Sequence, residues 1–181
     1  SYGCAITACA RAAHWQLALS VLEDSGRGRL APSLVSYTAT MSACERAQQW
    51  ALALHLFGTA ESASLRLDVV SLNAALSACE KGQQWQQALW LLSAVVCDKS
   101  DVIVRGGHGS AVLPDIITFN AAISACRRPQ QWRRAISLLE KARELRLAPN
   151  VITYNSAISA CEHSRQWQPA VDLLHSLRGS G

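Results

Sequence analysis

The sequence predicts an all-α protein, an α-solenoid of about five helix-turn-helix repeats of 35 residues, and three observations carry that prediction. The segment SYTATMSACERAQQW at 36–50 returns as SLNAALSACEKGQQW at 71–85, TFNAAISACRRPQQW at 118–132 and TYNSAISACEHSRQW at 153–167. The opening SYGCAITACARAAHW at 1–15 is a fifth copy. Cys9, Cys44, Cys79, Cys126 and Cys161 stand 35, 35, 47 and 35 residues apart with no C-x-x-C pair, so they mark a period and not a ligand set or disulfide framework. Each cysteine also falls in the apolar pattern, which makes it a small core residue. Finally, each copy holds apolar residues at helical spacing, and so does the stretch that follows it.

Numbering each unit from two residues before its Ser or Thr gives a single array over 1–181. Its repeats are 1–33 (partial), 34–68, 69–115, 116–150 and 151–181 (partial). The 47-residue step places an inserted loop of about 12 residues within 96–112, where DKSDVIVRGGHGS has glycines and no helical periodicity. In the first helix of each unit, positions 4, 8 and 11 are apolar: Tyr37, Met41 and Cys44, then Leu72, Leu76 and Cys79, then Phe119, Ile123 and Cys126, then Tyr154, Ile158 and Cys161. The second helix opens on Trp15, Trp50, Trp85, Trp132 or Trp167 and continues with an alanine three residues on, a pattern that assigns the tryptophans to packing. Trp90 falls outside that register and reads as a surface residue. Pro32, Pro114 and Pro149 stand one residue before a unit ends, where they stop the second helix. Neither end resembles a polar capping repeat, so the sequence reads as part of a longer protein.

Composition narrows the function classes. Half of the 181 residues are apolar, enough to bury a core, and 17 Lys and Arg against 13 Asp and Glu leave a net charge of +4, so position matters more than total. No apolar run approaches the roughly 18–20 residues that cross a bilayer, and the start lacks a secretory pattern; the expectation is a soluble chain in a reducing compartment with no membrane partner. His14, His55, His108, His163 and His175 are scattered, and no nucleophile and base stand together. The reading is therefore not an enzyme, with no cofactor and no metal site.

Core positions repeat for packing, so binding residues are sought where polar identity repeats without that reason. Position 5 holds Gly3, Thr38, Asn73, Asn120 and Asn155; position 9 holds Thr7, Ser42, Ser77, Ser124 and Ser159; position 13 holds Arg11, Arg46, Lys81, Arg128 and His163. Steps of four keep them on one ridge of the first helix. Stacked units then align short hydrogen-bonding groups beside a column of positive charge, which suits a polyanion with regularly spaced subunits. Arg127, Arg133 and Arg134 extend the charge around Arg128, either widening the field or standing as solvated surface charge.

The 35-residue period, the T-Y-N of VITYNSAISAC, the alanine at position 20 and the closing L-x-P-[ND] resemble the pentatricopeptide repeat, and uniform 35-residue steps resemble its P-type class. The resemblance implies a right-handed superhelix that binds single-stranded RNA, one base per repeat. It implies that position 5 and the last residue of the same unit read the base, that position 2 clamps it, and that position 13 faces phosphate. Carried onto this chain, the readers are Thr38 with Asp68 (guanine), Asn73 with Asp115 (uracil), Asn120 with Asn150 (cytosine over uracil), and Asn155, whose partner position lies beyond the sequence. The clamps are Val35, Val70, Ile117 and Ile152. The phosphate-facing set is Arg11, Arg46, Lys81, Arg128 and His163. The implied RNA core is 5'-G-U-(C/U)-3', and the implied setting is RNA processing, stability or translation in mitochondria or plastids, with any targeting segment upstream of residue 1. Gly3 with Ser33 matches no readable pair. The competing reading is an α-solenoid scaffold for a protein or peptide, and other proteins remain possible partners through the rest of a longer chain.

Overall fold

The computed structural model describes residues 2–12, 14–27, 32–96, 112–128 and 130–179. Among these residues the regular structure is entirely helical: α1 (Tyr2–Arg11), α2 (Trp15–Arg27), α3 (Leu34–Arg46), α4 (Trp50–Ser62), α5 (Val69–Lys81), α6 (Trp85–Val96), α7 (Ile116–Ala125), α8 (Trp132–Glu144), α9 (Val151–His163) and α10 (Trp167–Gly179). The expected insertion within 96–112 falls almost wholly outside the described residues.

Helices α3, α5, α7 and α9 start on side-chain caps. Ser33, Asp68, Asp115 and Asn150 have extended backbones, and their side-chain oxygens accept the N–H of Ser36, Ser71, Thr118 and Thr153. At the last three the hydroxyl of that third residue also accepts the cap's own N–H, so two otherwise unpaired donors are satisfied together. The prolines at 114 and 149 stand immediately before such caps, where no backbone N–H is needed. The helices end as regularly: Gln48, Gln83 and Arg165 turn left-handed at φ 59, 53 and 55°. The following N–H groups of Gln49, Gln84 and Gln166 then reach back to the carbonyls of Cys44, Cys79 and Cys161 at 2.8, 2.8 and 3.0 Å.

One helix departs from this pattern. α7 stops at Ala125, whereas α3, α5 and α9 run a full 13 residues. Pro129 stands where its neighbours carry Ala47, Gly82 and Ser164, and a proline disfavours helical backbone at the residue before it. Arg127 and Arg128 consequently lie beyond the helix, which corrects the expectation that Arg128 sits on the helical ridge.

The helices form two layers. α1, α3, α5, α7 and α9 pack side by side in sequence, and each even-numbered helix through α8 lies against its own odd-numbered partner and the next one. Among the described residues no even-numbered helix packs on another. The core is the predicted set of columns: Met41, Cys44, Leu76, Cys79, Phe119, Ile123, Cys126 and Cys161 are fully enclosed, as are Ala18, Ala53, Ala88 and Ala135 of the second helices. Tyr37 and Ile158 are only half-buried.

The tryptophans complete the junctions between units. Trp50 lies so close to Gly82 of the next pair that a Cβ there would stand 2.4 Å from the ring's Cδ1. Trp15, Trp50, Trp85 and Trp132 pack against the core, but Trp167 is 70 % exposed, a correction to the packing role expected of all five. The reason is local: Trp50 is covered by the following helix pair, and Trp167 belongs to the last pair in this sequence. Trp90 is 66 % exposed, as a surface residue should be.

Gly82→Ala should destabilise the protein by about 1–3 kcal/mol, because the Trp50 Cβ and Cγ are too constrained to yield. Gln83→Gly at the adjacent left-handed position should stabilise it by up to about 1 kcal/mol. Urea titration of both variants checks the opposite signs. Burial pushes the Cys44 and Cys126 thiols up to about 11 and Cys79 to about 12, and also raises Cys161. With the thiol form retained, these four should resist alkylation at mildly alkaline pH until denaturant is added, while exposed Cys4 reacts at once; peptide mapping distinguishes them.

Candidate nucleic-acid interface

The second residue of α3, α5, α7 and α9 carries an apolar side chain into solvent. Val35, Val70, Ile117 and Ile152 are 68, 58, 57 and 62 % exposed. A lone exposed valine is ordinary, but a β-branched residue left in water at the same place in four successive helices has no packing explanation. These are the residues expected to clamp a flat ligand. At the first junction Val35 lines a cavity of about 650 Å³ together with Gly3, Thr7 and Arg11, so positions 5, 9 and 13 of one unit and position 2 of the next face a common space.

The position 5 residues differ in what they do with their polar atoms. Thr38 donates its hydroxyl to the Leu34 carbonyl of its own helix at 2.9 Å. Asn73 donates Nδ2–H to the Asp115 carboxylate, with Nδ2 at 3.2 Å from Oδ1 and 3.5 Å from Oδ2, and its Oδ1 accepts from the Thr118 hydroxyl at 2.6 Å. The pair separated by 42 residues and by the expected insertion is therefore in direct contact. Asn120 leaves its Oδ1 buried and without a partner. Asn155 is exposed. Among the described residues no hydrogen bond joins Thr38 to Asp68 or Asn120 to Asn150.

The closing residues have a second task that the sequence reading overlooked. Ser33, Asp68, Asp115 and Asn150 are the helix caps described above, so their rotamers are fixed before any ligand arrives. The signal was present in the sequence, since each is followed three residues later by Ser or Thr. Burial works against the Asp115 carboxylate, but the Thr118 backbone N–H, the Thr118 hydroxyl and the Asn73 amide outweigh it. Together they hold the group below its ordinary range.

The charged column is less free than its spacing suggests. The Arg46 guanidinium donates to the carbonyls of Ala10 and Arg11 at 3.0 and 3.3 Å, at the C-terminal end of α1. The Lys81 ammonium pairs with the Glu45 carboxylate at 3.0 Å. Position 12 thus supplies Glu45, Glu80 and Glu162 beside the cations, legible in the repeated C-E-[RKH] but not read there. Arg128, displaced from its helix, still meets Lys81 and His163 around a cavity of about 560 Å³, with Glu80, Ser124 and Arg127. Burial raises the Glu80 pKa, opposed by the Ser124 hydrogen bond and the nearby Arg127 and Lys81 charges.

Position 9 also has a structural part, because the hydroxyls of Ser124 and Ser156 lie 3.0 Å apart across the junction between units. The remaining arginines divide their tasks: Arg134 stacks on Trp85 at 4.3 Å and Arg133 on Trp132 at 5.0 Å. Among the described residues no His, Cys, Asp and Glu cluster could hold a metal ion, and no helix is long and apolar enough to cross a membrane.

The described residues thus form an array of paired helices with a row of exposed apolar side chains beside capped helix ends and basic residues. The pentatricopeptide repeat domain family matches residues 103–163, and the PPR repeat matches residues 152–181. The fold is similar to that of the pentatricopeptide repeat protein PPR10 from maize, with a TM-score of 0.69 at 19 % identity, covering 100 % of this chain and 24 % of that one. It is equally similar to PPR10 in complex with an 18-nt psaJ RNA element, with a TM-score of 0.69 at 22 % identity, covering 99 % of this chain and 24 % of that one. No curated protein matches this sequence. The chain spans about a quarter of the length of the PPR10 structures. Pentatricopeptide repeat models thus match this chain over residues 103–181.

Asp115→Ala removes a helix cap and should cost about 1 kcal/mol at neutral pH. A carboxyl held below its unfolded pKa stabilises the fold above that value and stops doing so as pH falls through the folded one. The difference between wild type and variant in urea melts should therefore shrink as pH drops below 3.8.

Proposed function

We propose that the chain is a P-type, sequence-selective single-stranded RNA-binding array that accepts one base per repeat. Its repeats are 1–33 (partial), 34–68, 69–115, 116–150 and 151–181 (partial). The observation that carries this reading is the register between two independent rows. The exposed apolar residues Val35, Val70, Ile117 and Ile152 recur at the period of the amide and hydroxyl groups of Thr38, Asn73, Asn120 and Asn155. A nucleobase offers both a flat apolar face and a hydrogen-bonding edge, and single-stranded RNA delivers the two together at regular intervals. A peptide has no reason to match both rows at once.

In this reading Asp68, Asp115 and Asn150 act with Thr38, Asn73 and Asn120 as base readers, while capping the next helix. The core it reads is 5'-G-U-(C/U)-3', with Asn155 reading a further base. Arg11, Arg46, Lys81, Arg128 and His163 face phosphate. The structure of PPR10 with an RNA element supports the class of ligand. The biological setting we favour is organellar RNA processing, stability or translation, in mitochondria or plastids.

Affinity for single-stranded RNA should fall with salt at a log-log slope of about 3, the value for four or five neutralised phosphates. RNA selection with the Asn73→Thr variant should move the preferred base at one position from uracil toward guanine. An unchanged preference would sink the assignment of readers even where RNA binds. Val70→Ala should weaken binding about fivefold for every sequence alike, through loss of about 1 kcal/mol of apolar contact.

A further inference from the structure

We propose that the Glu80 carboxylate is a built-in competitor for anions: it faces the cationic cavity between the third and fourth repeats and yields that cavity to an RNA phosphate by taking up a proton. The inference rests on the RNA reading above and adds to it a proton-linked latch.

The latch follows from a break in the repeat register. The position 12 carboxylate of the second repeat, Glu45, pairs with the position 13 ammonium of the third, Lys81, at 3.0 Å. The same register would pair Glu80 with Arg128, but α7 ends at Ala125 and Arg128 stands beyond it. Among the described residues no ion pair joins the two. Glu80 accepts a hydrogen bond from the neutral Ser124 hydroxyl instead, and both line the cavity of about 560 Å³ with Lys81, Arg127, Arg128 and His163.

Charge reaches this group from several helices. Lys81 and Glu45 belong to α5 and α3, Arg127 and Arg128 follow α7, and His163 ends α9. Helices α4 and α6 also pack on α5 but bring no charged side chain to the cavity. Glu45 is engaged by Lys81, and Arg127 stands where other repeats carry glutamate, so Glu80 is the one carboxylate among the described lining residues. A half-buried carboxylate that meets its cations across a gap is desolvated without the full attraction of a contact pair. Burial accordingly raises its pKa, against the opposing effects of Ser124, Arg127 and Lys81.

An anion entering the cavity brings a second negative charge to the same cations. While Glu80 is ionised the two repel each other. Once Glu80 is protonated, Lys81, Arg127, Arg128 and His163 are left to the ligand. Binding therefore raises the carboxyl pKa further and takes up a proton from solvent. Affinity climbs as pH falls toward the raised value and is weakest where Glu80 stays ionised.

The test uses the full chain with His163→Arg as the parent, so that charge at that position does not vary with pH. Binding to a labelled single-stranded RNA carrying the core 5'-G-U-C-3' should tighten about fivefold from about pH 8 to about pH 5 at fixed ionic strength. Adding Glu80→Gln, which keeps an acceptor for the Ser124 hydroxyl, should give the tighter binding already at the higher pH, with less than about twofold change between the two. Adding Glu140→Gln instead, on the exposed side of α8, removes the same charge elsewhere and should leave the parent's pH dependence intact. A Glu80→Gln protein that binds no tighter than the parent at the higher pH overturns the proposal, as does a Glu140→Gln protein that matches it. A second arm dispenses with RNA. Sulfate, whose charge is constant over this range, is titrated against the backbone amide resonances of Lys81 and Ser124. The parent should need about fivefold more sulfate at the higher pH, and Glu80→Gln equal amounts at both. Sulfate that moves neither resonance, or moves them with the same pH dependence in the two proteins, overturns the latch. Failure of every variant to bind RNA, with sulfate behaving as expected, rejects the RNA reading and leaves a proton-linked anion site standing.

Discussion

The capping of α3, α5, α7 and α9 by the last side chain of the preceding unit is the interaction on which the rest of this structure depends. A helix N-terminus leaves backbone N–H groups without partners, and here Ser33, Asp68, Asp115 and Asn150 satisfy one each. Because the cap belongs to one repeat and the helix to the next, the bond also sets where consecutive repeats meet. At Asp115 the same carboxylate reaches back to Asn73, so a local rule of helix initiation fixes the distance between two side chains far apart in sequence. The spacing of Asn73 and Asp115 is thus inherited from helix capping.

Charge is arranged under a similar double constraint. Arg46 satisfies carbonyls at the end of α1 and Lys81 pairs with Glu45, so these two members of the basic column hold adjacent repeats together. Both contacts are exposed enough to be exchanged at small cost, since surface ion pairs contribute little. The fourth repeat is different, because α7 ends early and Arg127 stands where other repeats carry glutamate. Its junctions bring Lys81, Arg127, Arg128 and His163 together around Glu80.

The period, the two helices per repeat and the buried columns were legible in the sequence, because packing demands the same residue sizes at the same places and leaves a strong periodic trace. The exposure of the second residue was legible only through family resemblance, since Val and Ile at 35, 70, 117 and 152 read equally well as core. Three features escaped for identifiable reasons. The capping role of Asp115 and its relatives was hidden behind their assignment as readers. The shortening of α7 followed from Pro129, whose effect on the column at Arg128 was not drawn. Trp167 shares its pattern with four buried counterparts, but burial of that position is supplied by the next helix pair and not by its own.

The two-layer arrangement has a mechanical meaning. The odd-numbered helices form an unbroken spine, while each even-numbered helix grips the spine and leaves its even-numbered neighbours untouched. Bending or stretching such an array opens or closes gaps in the outer layer without breaking contacts between outer helices, as a vertebral column flexes while its processes stay clear of one another. Compliance of this kind would let the spacing between successive repeats change along the array without unpacking the spine.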